Sequence, residues 1–344
     1  MSSQRLEDVL RDVNKKFKAD VCKQGMSFDA VRRIPFSSPR MNYMTYGGMP
    51  IGRIIEFAGE EGGGKTTTAL DLVAGAQKMF PDKQVLYVDI ERTLDAEWAQ
   101  KLGVDIDSLI LFSPDEQTAE EVFEAVKSIV ETGDISLCVM DSLAAMVSAQ
   151  AYAKTIEDRT YGGISMALTL FSKEMIPICA RTGCTLIGIN QVREDMNSTY
   201  GGTTTTGGRA WRHNCSVRMS FQKSDYIDDK GNSIPRNSEN PAGNLVKVAV
   251  VKSKVFKSDR KTGFYTLKYL TGIDHISDII DLSIRAGIIN VAGAWFSIMD
   301  EDGKVALNEG EALKFQGKAK LHQFLEEDED WKDELNDRVL AAFS

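Results

Sequence analysis

The chain contains no apolar run of about 18 residues and no basic-then-apolar leader, so no membrane span or export signal is read from it and a cytoplasmic protein is expected. Its five cysteines, Cys22, Cys138, Cys179, Cys184 and Cys215, are odd in number and include no C-x-x-C pair. That argues against a disulfide framework or a zinc ribbon and leaves thiols that pack as small hydrophobes. No internal repeat is present. Positive charge is scarce overall, 41 Lys and Arg against 50 Asp and Glu for a net charge of −9. Phosphate affinity depends on where the cations lie rather than on their sum. Between positions 247 and 268 seven Lys or Arg stand against one acid, Asp259, while positions 326–330 are an unbroken acidic run.

What is present is ordinary for a soluble globular chain, with 42% apolar and 26% charged residues. A length of 344 residues predicts a main domain of about 230 residues with smaller appendages. The most informative stretch is Gly59, Glu60, Glu61, Gly62, Gly63, Gly64, Lys65, Thr66, which fits G-x-x-x-x-G-K-[ST]. Glycines there free the backbone to bend around a polyphosphate, so that successive N–H groups and a helix N-terminus point at its oxygens. Lys65 is placed to reach the β and γ phosphates and Thr66 to hold Mg²⁺. The apolar stretch 53–58 before the loop predicts a buried strand. Helical spacing over 67–79 predicts the helix after it.

Positions 3–18 place Leu6, Val9, Leu10, Val13 and Phe17 on one stripe of a helix that needs an apolar partner, its own core or a neighbouring subunit. From 52 onward strand and helix patterns alternate: 85–90 then 94–102, 109–112 then 118–130, 136–141 then 164–182, and a strand over 184–190. This predicts an α/β fold with a doubly wound sheet. T-A-E-E from Thr118 is a capping box, Gly183 is a helix stop and Pro177 should kink its helix. Strands over 216–222, 245–251 and 264–270 extend the sheet as antiparallel members. Helices over 274–286, 312–325 and 331–342, with a strand-like patch at Trp295 and Phe296, make a small C-terminal domain.

Asp141 ends an apolar strand, as does the carboxylate that orients Mg²⁺ in other phosphate-loop proteins. Glu91 follows the strand 85–90, where the parallel-sheet rule puts ligands, and is the candidate to polarise an attacking water. Gln191 follows the strand 185–190, where an amide can sense the γ phosphate. The Gly/Thr-rich segment 194–208, with Tyr200 inside it, suits a loop ordered by a second ligand.

G-R-I-I-E-F-A-G-E-E-G-G-G-K-T-T-T, Y-V-D-I-E-R-T-L-D-A-E-W-A-Q-K-L-G-V-D, V-M-D-S-L-A-A-M, I-N-Q-V-R, T-T-T-G-G and V-V-K-S-K occur in one order, and together they resemble the RecA family of homologous recombinases over about 49–296. Divergence at both ends is as compatible with a bacteriophage member as with a bacterial one. The resemblance implies an N-terminal polymerisation helix and linker (1–48), a RecA-like ATPase core (49–272) and a C-terminal helical or α+β domain (273–344). It implies ATP and Mg²⁺ as ligands, with Glu91 as general base and Gln191 as γ-phosphate sensor. The nucleotide is implied to lie against Gly59 to Thr67, Asp141, and Asp95 and Trp98 at the adenine. Thr66 and Asp141 are the implied Mg²⁺ residues, the latter through water.

Lys252 and Lys254 match two lysines that reach across a subunit interface to the neighbour's ATP, completing a composite site with Lys65. Positions 152–162 and 194–207 match the loops that hold single-stranded DNA, which implies DNA contacts from Arg193, Tyr200, Thr206, Gly207, Gly208 and Arg209. The first helix and the strand at 33–36 resemble the polymerisation arm. Arg209 and His213 replace the family's asparagine and phenylalanine. The chain is expected to do without the family's long acidic tail, with 326–330 as a partial substitute. Implied partners are single-stranded DNA, homologous duplex, further copies in a helical filament, and single-strand-binding or loader proteins; the implied setting is the bacterial cytoplasm or nucleoid, or an infected host cell. The function implied is ATP-dependent strand exchange. Alternatives on the same fold are a hexameric helicase or branch-migration motor, and a DNA-coating or mediator protein with little ATP turnover.

Overall fold

The computed structural model describes residues 2–17, 22, 31–153, 164–194, 203–229, 231, 233–235 and 237–343. Two compact units divide after Arg32. The first holds helix α1 (Ser2–Phe17). Leu6, Val9 and Phe17 are exposed on it, and Leu10 and Val13 are half-buried. The Asn14 amide brackets the backbone of Cys22, donating to its carbonyl and accepting from its N–H at 3.0 and 2.8 Å.

The second unit opens with β1 (Arg33–Ile34), α2 (Pro39–Thr45) and β2 (Met49–Pro50). Strand β1 pairs antiparallel with β2, and Ile34 and Phe36 are buried in the same unit's core. The strand expected in a polymerisation arm is therefore committed within its own unit. Ser38 caps α2, accepting from Met41 N–H at 3.2 Å, and Pro39 fits the first turn because its missing N–H is not needed there.

The core then alternates β3 (Ile54–Gly59), α3 (Lys65–Met79), β4 (Gln84–Asp89), α4 (Ala96–Lys101), β5 (Leu109–Phe112), α5 (Ala119–Glu131), β6 (Ile135–Asp141), α6 (Ala149–Tyr152), α7 (Ile164–Thr182) and β7 (Thr185–Glu194). It continues through β8 (Thr203–Thr205), α8 (Gly208–Asn214), β9 (Val217–Ile227), β10 (Ser233–Ile234), β11 (Gly243–Ser253), β12 (Thr262–Lys268) and β13 (Gly272–Ile273). Among the described residues these strands form an 11-stranded sheet, β13-β12-β11-β9-β3-β7-β6-β4-β5, with β10 on β9 and β8 on β7. The segment from β3 to β7 is parallel, as the alternating pattern predicts.

Strand β9, expected to be antiparallel, instead pairs parallel with β3, Ile55 opposite Val217; the antiparallel extension starts only at β11. Helix α7 has the bounds predicted by the pattern over 164–182, with Pro177 inside it. Met175, Ile178 and Cys179 are buried on either side of the proline. The Thr118 capping box forms, its side chain accepting from Glu121 N–H while Glu121 accepts from Thr118 N–H.

Alternation along the strands sends side chains to two faces. Ile55, Phe57, Tyr87, Val139 and Ile187 pack with Ala69, Leu70 and Val73 of α3. Leu86, Val88, Cys138 and Leu186 pack under α5 and α7, where Phe123 and Phe171 stack at 4.4 Å. Burial pushes the thiols of Cys138, Cys179, Cys184 and Cys215 up, so they stay protonated and inert.

The C-terminal part comprises α9 (His275–Arg285), β14 (Ile289–Ala292), β15 (Trp295–Ile298), β16 (Leu307–Asn308), β17 (Glu311–Ala312), β18 (Lys314–Gln316), α10 (Lys318–Glu327) and α11 (Glu329–Ala342) around Ile280, Ile298, Leu321, Leu325 and Leu335. The helix expected over 312–325 is corrected: its first part is strand, with Phe296 opposite Phe315. Gly317, at φ 91°, ends that strand and begins α10. The acidic run is a helix junction, with Asp328 accepting from Trp331 N–H at 3.1 Å and Glu329 and Asp330 in the first turn of α11. No helix among the described residues is long and apolar enough to cross a membrane.

Candidate active site

The loop between β3 and α3 is shaped around backbone. A Cβ at Gly59 would stand 2.2 Å from the Phe221 carbonyl oxygen. Gly64 caps α3 at φ 91° with no side-chain hydrogen bond, so the first N–H groups of a 15-residue helix are left for an anion. Tyr265 supports the turn from below, its hydroxyl 2.8 Å from Thr68 Oγ1 and 3.3 Å from the Gly64 carbonyl. Glu60, Glu61 and Gly62 are exposed along the rim, while Gly63 and Thr67 are buried. Lys65 Nζ folds back to donate to the carbonyls of Gly59 and Glu60 at 3.0 and 2.6 Å. Burial lowers its pKa, against the pull of Asp141 and Glu91. A bound phosphate would offer this ammonium a stronger acceptor than two carbonyls.

Thr66 and Asp141 meet at the carboxyl end of the sheet, Thr66 Oγ1 donating to Asp141 Oδ2 at 2.7 Å. A hydroxyl beside a carboxylate is a hard-oxygen donor pair, and one that fits Mg²⁺. Burial raises the pKa of Asp141, while the hydrogen bonds from Thr66 and Tyr87 oppose that rise. Asp89, opposite Asp141 in register, folds the next turn by accepting from the N–H groups of Thr93 and Leu94 at 3.1 and 3.0 Å. That turn carries Glu91, which is exposed and accepts a hydrogen bond from Ser142 Oγ. Asp95 caps α4, accepting from Trp98 N–H at 3.1 Å, and Trp98 is half-buried against the core. Gln191 lies directly beside Gly59, the residue where the phosphate loop begins.

One residue before Gln191, Asn190 Nδ2 donates to Glu56 Oε1 and to the Thr206 carbonyl at 3.0 and 2.8 Å. Glu56 is fully buried and also accepts from Trp211 Nε1 at 2.9 Å and from Arg218 Nε. The Glu56 carboxylate thus joins β7 and α8 directly, and Asn190 links both to the Thr206 carbonyl at the base of the Gly/Thr segment. Arg193 is exposed on β7 opposite Thr204. Gly207 caps α8, Gly208 is its first residue and Arg209 is exposed on it. Tyr200, and most of the two expected DNA loops, lie outside the described residues.

Lys252 and Lys254 do not join this cluster. Lys252 is paired with Arg218 at the start of β9, near the amino end of β3 and opposite the edge where the phosphate loop leaves it. Lys252 Nζ donates to the carbonyls of Arg212 and His213, and Lys254 Nζ to that of His213, each at 2.7 Å. Both cations therefore close the C-terminus of α8. Tyr87, Asp89, Ser142 and Glu56 were not singled out from sequence. Glu56 was the most detectable, as a carboxylate in the middle of an otherwise apolar strand.

Residues 4–274 match the RecA N-terminal domain and residues 277–344 the RecA C-terminal domain. Protein RecA of Acholeplasma laidlawii is 33% identical over 344 residues, 99% of this chain and 97% of the relative. Protein RecA of Thermus thermophilus is 33% identical over 339 residues, 97% and 93% of the two chains. That of Ruminococcus albus is 33% identical over 342 residues, 98% and 80%. The likeness thus extends well beyond 49–296, through both ends, and the chain belongs to the RecA family of recombination and repair proteins.

Proposed function

We propose that the chain is an ATP-dependent strand-exchange recombinase whose ATP hydrolysis is switched on when copies stack along single-stranded DNA and pair it with homologous duplex. The observation that carries this reading is the division of the chemical groups between two edges of one sheet. Lys65, Thr66, Asp141, Glu91 and Gln191 belong to the carboxyl end, whereas Lys252 and Lys254 sit at the opposite end. Such lysines serve a phosphate only on another copy.

In this reading Lys65 and the α3 N-terminus hold the β and γ phosphates, and Asp95 and Trp98 flank the adenine. Mg²⁺, held by Thr66 and Asp141, supplies positive charge to the phosphate oxygens. Glu91 takes a proton from the attacking water. Gln191 registers the γ phosphate and passes its loss through Asn190 to Thr206, at the root of the loop that holds DNA. Arg193, Tyr200, Thr206, Gly207, Gly208 and Arg209 contact the strand, chiefly at phosphates, so binding is nearly sequence-independent and weakens with salt.

Steady-state ATP hydrolysis, measured with and without single-stranded DNA over a range of protein and salt concentrations, tests the proposal. DNA stimulation that rises cooperatively with protein concentration is expected. Turnover indifferent to both would overturn it and leave a DNA-independent hydrolase or a structural ATP binder.

A further inference from the structure

Asp141 Oδ2 accepts a second hydrogen bond besides that of Thr66. It comes from the hydroxyl of Tyr87, at 2.9 Å. Tyr87 is 1% exposed. It lies in β4 opposite Val139, on the face of the sheet that α3 covers. A buried phenol must find an acceptor, and most would find a backbone carbonyl or an amide. This one takes an oxygen of the carboxylate that already receives the Thr66 hydroxyl.

We propose that Tyr87 is a positioning residue for the nucleotide's divalent cation: its hydroxyl fixes the Asp141 carboxylate against Thr66, so that both oxygen donors are set before Mg²⁺ arrives. The inference rests on the reading of Asp141 as the acid beside the cation. A carboxylate free to turn about its last torsion would have to be ordered when the metal binds. Two donors on one oxygen, one from the first turn of α3 and one from β4, order it beforehand, and the acceptor capacity of Oδ1 is left for the hydrated ion. Partners of this kind behind a metal-binding group are worth about 10- to 100-fold in metal affinity. Tyr87→Phe removes only the hydroxyl and keeps the ring that fills the core.

The test is a Mg²⁺ titration of the full chain with a fluorescent, non-hydrolysed ATP analogue, read as the Mg²⁺ midpoint of nucleotide binding, with nucleotide affinity in EDTA measured alongside. Tyr87→Phe is expected to raise the Mg²⁺ midpoint about 10-fold and to leave affinity in EDTA within about twofold. In an Asp141→Asn background the same change should give no further shift. Val139→Ala, which loosens the same face of the sheet without removing a hydrogen bond from Asp141, controls for stability. It is expected to lower the melting temperature and leave the midpoint in place. A Tyr87→Phe midpoint equal to that of the unmodified protein, or an equal shift in Val139→Ala, overturns the inference alone. Nucleotide binding by the unmodified protein that ignores Mg²⁺ overturns it together with the reading of the site.

Discussion

Lys252 Nζ donates to the carbonyl oxygen of His213 at 2.7 Å, so a side chain read from sequence as reaching for a neighbour's nucleotide is held by its own subunit's helix end. Burial lowers the Lys252 pKa, and the nearby charge of Lys254 adds to that. In the proposed assembly, release from α8 is a step that precedes any contact with ATP, and α8 lies between the Gly/Thr loop and the lysines.

The division of groups between two edges predicts complementation. Glu91→Gln alone should lose turnover by about 100-fold or more while retaining nucleotide and single-stranded DNA binding. Lys252→Ala/Lys254→Ala alone should also be inactive. Mixed on DNA, the two should regain activity, because the Glu91→Gln subunit supplies its lysines to a neighbour with an intact Glu91. Hydrolysis rates across mixing ratios check this; no recovery at any ratio would count against a shared site.

Ser142→Ala removes the hydrogen bond that holds the Glu91 carboxylate. A fall in kcat of about 10-fold with little change in ATP affinity is expected, since the hydroxyl positions a base and touches no phosphate in the proposed arrangement. Steady-state kinetics separates the two parameters.

Arg218→Met leaves Glu56 fully buried with only Trp211 and Asn190 as donors. Breaking a buried pair from one side typically costs about 3–5 kcal/mol. Urea denaturation should register a loss of that order. Arg218→Lys should recover only part of it, because an ammonium does not reproduce the guanidinium geometry.

Asp71 and Asp278 are fully buried acids whose pKa values burial pushes up to about 6 and about 7, against hydrogen bonds from Ser37 and Ser38 respectively. Both bind protons more tightly folded than unfolded. Their contribution is therefore full below the unfolded pKa, near pH 4, and is lost as pH rises through about 6 and 7. Melting curves from pH 5 to 8 should show the unmodified protein losing stability relative to Asp278→Asn as pH rises. A difference that stays constant with pH would count against the buried-acid account.

Much of the fold was legible because it rests on local rules. The phosphate loop is a backbone requirement written in glycines, and the capping box at Thr118 and the strand–helix alternation have short-range signatures. The misreadings were non-local. Strand β9 is parallel because its partner is β3, more than 150 residues earlier in the chain, and no pattern within β9 encodes that. The strand content at 311–316 depends on Phe315 finding Phe296 and on the turn at Gly317. In the site, Asp141 ends β6 and Glu91 follows β4 as the strand patterns predict, whereas Gln191, expected just after a strand, lies inside β7, which runs on to Glu194 where it pairs with β8. Tyr87 reads in sequence as one more core aromatic, and its tie to Asp141 arises only when β4 and β6 are set side by side.

In the proposed assembly, the placement of Lys252 and Lys254 at one end of the strands, with the phosphate loop at the other, also fixes a count. In an open-ended row of subunits sharing sites this way, every junction makes one complete centre and one terminal subunit is always left without. A pair has one centre between two chains, a long row almost one each. Turnover per chain then measures row length, and each break within a row removes one centre as surely as inactivating a subunit would.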